Sequence, residues 1–112
     1  MDAYAAIAAL AALAQEHRLA LFRLLVQAGE DGMPAGAIAE RLGVPNSSLS
    51  FHLAQLRGAG LITQERRHRS LIYRANYPAM NGLIDYLTEN CCGGVDCMAA
   101  ASPDPQRQRK TA

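Results

Sequence analysis

Residues 37–62 read AIAERLGVPNSSLSFHLAQLRGAGLI, and this stretch decides the fold. Gly43 is the seventh residue of this stretch, and a glycine typically ends one helix before a short connection leads into the next. We predict one helix over Pro34–Leu42 and another over Ser47–Ala59, with Ser47 as the N-terminal cap. Two short helices joined by such a tight turn form the helix-turn-helix pattern.

The flanking sequence predicts further helices and a β-hairpin. In the first helix, Ile7, Leu10 and Leu13 recur at helical spacing, which indicates either a buried helix or, because alanines surround them, a close subunit contact. The expected fold class is mainly α with a β-hairpin wing, a winged helix-turn-helix in the order α-α-α-α-β-β-α. The added elements are helices over Ala5–Ala14, His17–Ala28 and Pro78–Asn90, and β-prone runs over Leu61–Arg66 and Ser70–Arg74.

Composition indicates one small globular domain. The 112 residues are 50% hydrophobic and 19% charged and contain no Trp, which is typical of a folded chain with a single aliphatic core. We expect residues 1–98 to form the domain and residues 99–112 to form a disordered tail, since the segment from Ser102 onward is polar and contains two prolines.

Neither a membrane span nor a secretory signal is predicted. The longest apolar run, Ala5–Ala14, is well short of the roughly 20 residues that a span needs. A secretory signal has basic residues before its apolar run, and no Lys or Arg precedes this one. The three cysteines are an odd number with two of them adjacent, which does not suggest a disulfide framework. We therefore expect a cytoplasmic protein without a membrane partner.

The helix after Gly43 has the composition of a helix that reads DNA bases. Leu49, Leu53 and Leu56 fall on one side of it, and no residue from Ser47 to Gln55 is charged. Hydroxyl, amide and imidazole groups can pair with base edges without repelling phosphates, although a neutral helix in a protein interface would look the same. The predicted base-facing residues are Asn46, Ser47, Ser48, Ser50, Phe51, His52 and Gln55.

The hairpin favours the nucleic-acid interpretation. Because the net charge is only +1, a DNA-binding surface must come from local clustering of charge or from doubling in a dimer. Four arginines and one histidine lie between positions 66 and 74, where they could neutralise phosphates beside the reading helix; a solvated charged turn is the alternative. The predicted wing contacts are Arg66, Arg67, His68 and Arg69.

Residues 37–62, with their S-x-H-L and L-x-x-A-G-L motifs, resemble the DNA-reading core of the ArsR/SmtB repressors. Residues 16–25, EHRLALFRLL, resemble that family's second helix, and the whole resemblance covers residues 5–90. It implies a homodimer, formed through the first and last helices, that binds double-stranded operator DNA and releases it when an inducer binds. It also implies that Asn46, Ser47, Ser50 and Phe51 face the groove.

Two departures from the family pattern affect the DNA-reading surface. The family often has a polar residue where Phe51 stands, so the base preference there is expected to be apolar, for example for a thymine methyl group. The predicted wing turn, Arg67–Arg69, contains no glycine, which leaves its turn type open.

All three cysteines lie within seven residues, after the last predicted helix. Gly93 and Gly94 would let the backbone fold back so that the sulfurs of Cys91, Cys92 and Cys97 converge. Three thiolates suit a soft thiophilic ion, whereas a structural zinc site would need a fourth ligand. We expect As(III) as the ligand, with Sb(III), Cd(II), Pb(II) and Hg(II) left open.

The resemblance narrows the role of these thiols. Many arsenic-responsive relatives carry a C-x-C pair before the reading helix, but Pro34–Leu42 contains no Cys here. Other members bind zinc through Asp and His across the dimer, and Asp85 is present but no His follows His68. The cluster is similar to that of arsenic-responsive members with C-terminal cysteines, which implies a repressor released by As(III) or Sb(III).

Other functional classes make different demands on the same residues. A redox-responsive repressor would pair Cys91 or Cys92 with Cys97 in a disulfide. A thiol enzyme would need an activated thiolate, yet no Lys, Arg or His flanks the cysteines, so we do not expect an enzyme. A protein-interaction module without DNA is a third alternative.

Overall fold

A computed structural model describes residues 1–94. Cys97 and the predicted tail over residues 99–112 lie outside the described residues. The role of Cys97 as a ligand and the disorder of the tail therefore stay predictions. The helices are α1 (Ala3–Leu13), α2 (Glu16–Ala28), α3 (Ala35–Leu42), α4 (Asn46–Gly58) and α5 (Tyr77–Leu87), and the strands are β1 (Met33–Pro34), β2 (Ile62–Arg67) and β3 (Ser70–Ala75); short 3₁₀ turns follow at Gly29–Asp31 and Cys91–Gly94. The predicted winged helix-turn-helix is confirmed.

Side-chain caps set where several helices begin. The Asp2 carboxylate accepts a hydrogen bond from the Ala5 amide at 2.7 Å, which starts α1 two residues earlier than predicted. The prediction that Ser47 caps α4 is wrong, because the helix already begins at Asn46 with Pro45 in the cap position and no side-chain cap bond. The last helix was predicted to reach Asn90, but α5 ends at Leu87.

The wing is part of a three-stranded antiparallel sheet in the order β1-β3-β2. Sequence reasoning missed β1, which is only two residues long and pairs Met33 with Tyr73. Gly32 makes this approach feasible: its φ is +65°, and a Cβ atom there would lie 2.5 Å from the Tyr73 carbonyl oxygen.

The wing turn contains two residues. Arg67 pairs with Ser70 in the hairpin register, which leaves His68 and Arg69 as the loop. His68 has a φ of 56°, so a histidine occupies the left-handed conformation that glycine commonly supplies in a two-residue hairpin loop. The open question about the turn is thus answered without a glycine.

The core is aliphatic and small-residue-rich, as the composition indicates, with α2 packed against α1, α3, α4 and β3. Leu49, Leu53 and Leu56 of α4 are buried, which confirms the core-facing side predicted for that helix. In α1 the burial is the reverse of a simple apolar stripe, because the alanines are inside and the larger side chains are outside. The buried positions of α1 are Ala6, Ala9 and Ala12, whereas Tyr4, Ile7 and Leu10 are exposed.

Within residues 1–94, no single helix is long and apolar enough to cross a membrane. Helices α1 and α2, the latter counted with its 3₁₀ extension to Asp31, pass the same test of length and composition only as a pair that is bent by 103°.

Candidate nucleic-acid interface and cysteine cluster

One side of α4 faces solvent and carries no charge as far as Gln55. Six of the seven predicted base-facing residues are exposed, which makes them available to a groove, although their contact with DNA stays a prediction. Phe51 stands out among them because 57% of this large apolar side chain is exposed. The exposed residues are Asn46, Ser47, Ser48, Ser50, Phe51 and Gln55.

His52 is the exception, and its placement as a base-facing residue is wrong. Only 8% of its surface is exposed. It follows Leu49 by three positions and precedes Leu56 by four, so it shares the buried side of the helix with those leucines. The spacing from the leucines indicates this buried position, whereas the polarity of the imidazole suggests the opposite side of the helix.

Arg18 of α2 contacts the buried imidazole of His52. The Arg18 Nη1 lies 3.4 Å from Nδ1 of His52, and Arg18 Nε donates to the Ala12 carbonyl oxygen at 2.6 Å. The His17 ring lies 5.6 Å, centroid to centroid, from the His52 ring. Arg18 thus connects the end of α1 to the inner side of α4, a role that no pattern in the sequence indicates.

The surroundings of His52 favour its neutral form. Burial lowers the pKa of His52 below its ordinary value of 6.5, and the positive charges of Arg18 and then His17 lower it further. A guanidinium has donors only, so the contact with Arg18 requires Nδ1 to be an unprotonated acceptor. The inner side of α4 therefore packs on an uncharged imidazole at neutral pH.

The wing presents its basic side chains to solvent. Arg66, Arg67, His68 and Arg69 are all exposed, as a phosphate-contacting hairpin tip requires. Arg74 differs from them, because its Nη1 forms an ion pair with Glu65 at 2.7 Å and its Nε donates to the Glu30 carbonyl oxygen at 2.6 Å. Glu65 also lies 3.9 Å from Arg67 Nε.

The structure brings two of the three predicted thiols together. The Sγ atoms of Cys91 and Cys92 are 3.7 Å apart in the turn that follows α5. Cys92, Gly93 and Gly94 have positive φ values, the backbone conformation that glycine adopts readily, whereas the convergence of all three sulfurs stays a prediction. Within residues 1–94, no three His, Cys, Asp or Glu side chains form a group that could hold a metal ion. Cys97 is outside the described residues, so the three-thiol site stays a prediction.

A second exposed surface is apolar and lies on the first and last helices, which contact each other. The α1 side chains Tyr4, Ile7 and Leu10 are 85%, 63% and 43% exposed, and the α5 side chains Ile84 and Leu87 are 51% and 58% exposed. We call these five residues the α1–α5 apolar face. Such a concentration of exposed large apolar groups is unusual for a monomer and typical of an interaction surface.

Known proteins share both the sequence pattern and the fold. A family model described as a helix-turn-helix domain matches residues 13–65. The HTH-type transcriptional regulator YgaV of Escherichia coli is 32% identical over 79 residues, which cover 70% of this chain and 80% of that protein.

Two solved structures extend the likeness to three dimensions. An ArsR-like transcriptional regulator from Rhodococcus matches with a TM-score of 0.69 and 26% identity, over 88% of this chain and 89% of the other. A homodimeric winged helix-turn-helix DNA-binding domain from Mycobacterium bovis has the same fold, with a TM-score of 0.61 and 24% identity over 82% and 85% of the two chains. The chain belongs to the ArsR/SmtB family of winged helix-turn-helix transcriptional regulators, which are DNA-binding proteins and not enzymes.

Proposed function

We propose that this regulator is a repressor that binds double-stranded operator DNA as a homodimer and is released when As(III) or Sb(III) binds Cys91, Cys92 and Cys97. The observation that carries the proposal is the position of the paired thiols. Cys91 follows Leu87, the last residue of α5, by four positions, so the thiols lie in the turn directly after a helix that carries part of the α1–α5 apolar face. An ion bound there would act directly on the dimer contact.

The DNA-binding step uses α4 and the wing. The uncharged exposed side of α4 can enter the major groove, while Arg66, Arg67 and Arg69 contact phosphates on the flank. In a symmetric dimer, two such units would need a separation of roughly 34 Å to meet successive major grooves on one side of the duplex. The twofold arrangement also doubles the small net charge of the chain.

The dimer would form through the α1–α5 apolar face. Packing of this face against its twofold copy would remove five large side chains of each protomer from water, and apolar burial is the main driving force of such contacts. The outward orientation of Ile7 and Leu10 supports the assignment, because the alanines of α1 already serve the core. The homodimeric relative of the same fold gives further support.

The thiol geometry suits a soft ion. Bonds from thiolate to an ion such as zinc are about 2.3 Å long, so two thiolates on one ion lie roughly 3.3–3.8 Å apart. The separation of Cys91 and Cys92, 3.7 Å, falls in that range. Cys97 would supply the third sulfur, and three thiolates prefer soft ions such as trivalent arsenic over hard cations.

Binding of the ion would hold the segment after α5 in one conformation and thereby change how α5 packs in the dimer. The distance between the two α4 helices would then no longer match the spacing of successive major grooves. A coupling free energy of roughly 1–3 kcal/mol between the two sites suffices to lower operator affinity between 5- and 150-fold. Because the proposed action requires reduced thiols and chromosomal DNA, the protein would work in the cytoplasm.

Fluorescence anisotropy with DNA from the promoter of its own gene tests the proposal. The reduced protein should bind this DNA, and arsenite at one equivalent per subunit should release it. Single Cys→Ser variants at positions 91, 92 and 97 should bind DNA normally and lose the arsenite response, whereas Glu89→Gln, an exposed neighbour outside the cluster, should respond as the parent does. Release of the Ser variants at the same arsenite concentration would refute the site.

A second candidate function is a repressor that responds to thiol oxidation. The exposure of Cys92 and its nearness to Cys91 favour it, since an accessible thiol can be oxidised and then form a disulfide with Cys97. Peroxide would then release the DNA in the absence of any metalloid. Titration of arsenite and of Cd(II) or Pb(II) under anaerobic reducing conditions separates the oxidative response from the metalloid response and from a response to another soft metal.

A further inference from the structure

Phe51 is exposed in the middle of α4, on the side opposite the buried leucines. Leu49 and Leu53 each lie two positions away, which is about 200° around a helix, so the ring points away from the core. The other large apolar side chains that are exposed within residues 1–94 lie at the N-terminus and on α1, α2 and α5. Phe51 is therefore the apolar feature of the surface that we propose enters the DNA groove.

The ring of Phe51 packs against the ring of the neighbouring residue, His52, which lies on the buried side of α4. It makes an edge contact with the His52 ring, at a centroid separation of 5.7 Å and an interplanar angle of 65°. His52 is itself buried and fixed by Arg18 and His17. Edge-to-face aromatic pairs are a favourable arrangement, so the buried imidazole restricts the orientation of the exposed ring.

The neighbours of Phe51 narrow the chemistry of what it contacts. Ser47 precedes it by four positions and Gln55 follows it by four, so both share its side of the helix. These polar groups suit base edges, while the ring needs an apolar contact. In the major groove, the apolar group on a base edge is the C5-methyl of thymine.

We propose that Phe51 is a specificity-determining residue that reads a thymine methyl group in each half-site of the operator. The inference rests on the proposed binding of operator DNA and adds a base identity to it. Gln55 is exposed on the same side of α4, and its amide is of the kind that contacts adenine N6 and N7 together. His52 acts as a positioning residue that holds the ring and does not touch DNA.

Removal of the methyl group from the DNA tests this directly. A preferred duplex is first selected from a random library with the parent protein, and each thymine is then replaced singly by uracil, which differs from thymine by the methyl group alone. We expect one thymine per half-site at which the replacement weakens binding about fourfold, the effect of exposing one buried methyl group.

Variants of Phe51, each tested on the thymine and uracil duplexes, show whether its side chain is what detects the methyl group. Phe51→Ala should bind the parent duplex more weakly and show no further loss on the uracil duplex, while Phe51→Leu should keep part of the sensitivity. Leu19→Ala, which removes a similarly exposed apolar side chain from α2, should keep all of it. Equal affinity of the parent protein for thymine and uracil duplexes would overturn the role of Phe51 and leave DNA binding intact. Failure to select any duplex would overturn DNA binding as well.

Discussion

Nη1 of Arg18 lies 3.4 Å from Nδ1 of His52, which couples α2 to the inner side of the helix that we propose reads DNA. The contact joins a permanent cation to an imidazole that must stay neutral to accept from it. Protonation of His52 would replace this contact by repulsion between two cations and would place a charge in the core. The stability of the domain should therefore respond to pH through this residue.

The direction of that response follows from the lowered pKa of His52. In the unfolded chain the imidazole takes up a proton near its ordinary pKa of 6.5, whereas in the folded domain it does so only at lower pH. The unfolded state thus binds more protons in this window, so the contribution of His52 to stability is complete above about pH 6.5 and is lost as pH falls below it.

Thermal unfolding measured from pH 8 to pH 5 checks this expectation. The midpoint for the parent protein should fall below pH 6.5 more steeply than the midpoint for His52→Gln, which cannot take up the proton. His68→Gln, a change in the exposed wing turn, should follow the parent curve. Identical slopes for the parent and His52→Gln would show that His52 does not carry the pH dependence.

Gly32 should be far less tolerant of substitution than its neighbour Gly36. An alanine at position 32 would need a φ of +65° and would place Cβ 2.5 Å from the Tyr73 carbonyl oxygen. We expect Gly32→Ala to lower the free energy of unfolding by about 2–4 kcal/mol through strain and overpacking.

The matched control for this prediction is Gly36→Ala in α3. A Cβ at position 36 would meet nothing within 4 Å. Because alanine favours a helix, this variant should be unchanged or more stable by up to roughly 1 kcal/mol. Urea denaturation of both variants measures the difference, and equal stability would mean that β1 does not need the close approach of Gly32 to β3.

The sequence predicts which side of a helix is buried when the large apolar residues of that helix recur on one side. Leu49, Leu53 and Leu56 are correctly predicted to be in the core because the leucines of α4 all recur on one side of the helix. In α1, apolar groups surround the helix, and periodicity cannot tell which side meets the core and which side is left for another surface. Ile7 and Leu10 are therefore exposed although they follow the helical pattern of a buried stripe.

The candidate site was predictable to a similar extent. Exposure of Ser47, Phe51 and Gln55 follows from their position relative to the leucines. His52 was misplaced because residue type suggested DNA contact, while its actual partner, Arg18, lies 34 positions away in the chain. Contacts over such a separation depend on how whole helices cross, which no local pattern encodes.

Charge introduced into the α1–α5 apolar face should dissociate the proposed dimer. Ile84→Glu would bury two carboxylates at a twofold contact, and an unpaired buried charge is costly enough to weaken dimerisation by at least roughly 100-fold. The same substitution at Leu19, which is 47% exposed on α2, should leave the assembly unchanged. Sedimentation velocity over a concentration series distinguishes the two. A dimer that persists in Ile84→Glu would exclude this face as the contact.

Removal of the basic side chains of the wing should weaken binding to all DNA sequences alike. Arg67 and Arg69 flank His68 at the tip of the hairpin and are exposed. If each contacts one phosphate per protomer, Arg67→Ala or Arg69→Ala removes two contacts per dimer. The slope of log affinity against log salt should then become shallower by about 2, since each contact contributes about 0.9.

Loss of the Arg67 side chain and loss of the Arg69 side chain should weaken DNA affinity to different extents. Arg67 Nε lies 3.9 Å from Glu65, so part of its charge is already compensated in the free protein, and Arg69→Ala should cost the larger share of affinity. Arg23→Ala, an exposed arginine on α2, serves as the control and should leave the salt slope unchanged. Anisotropy titrations of a random-sequence duplex at several salt concentrations measure the slopes. If both wing variants keep the parent slope, the wing does not contact the phosphate backbone, and α4 alone would have to supply the affinity.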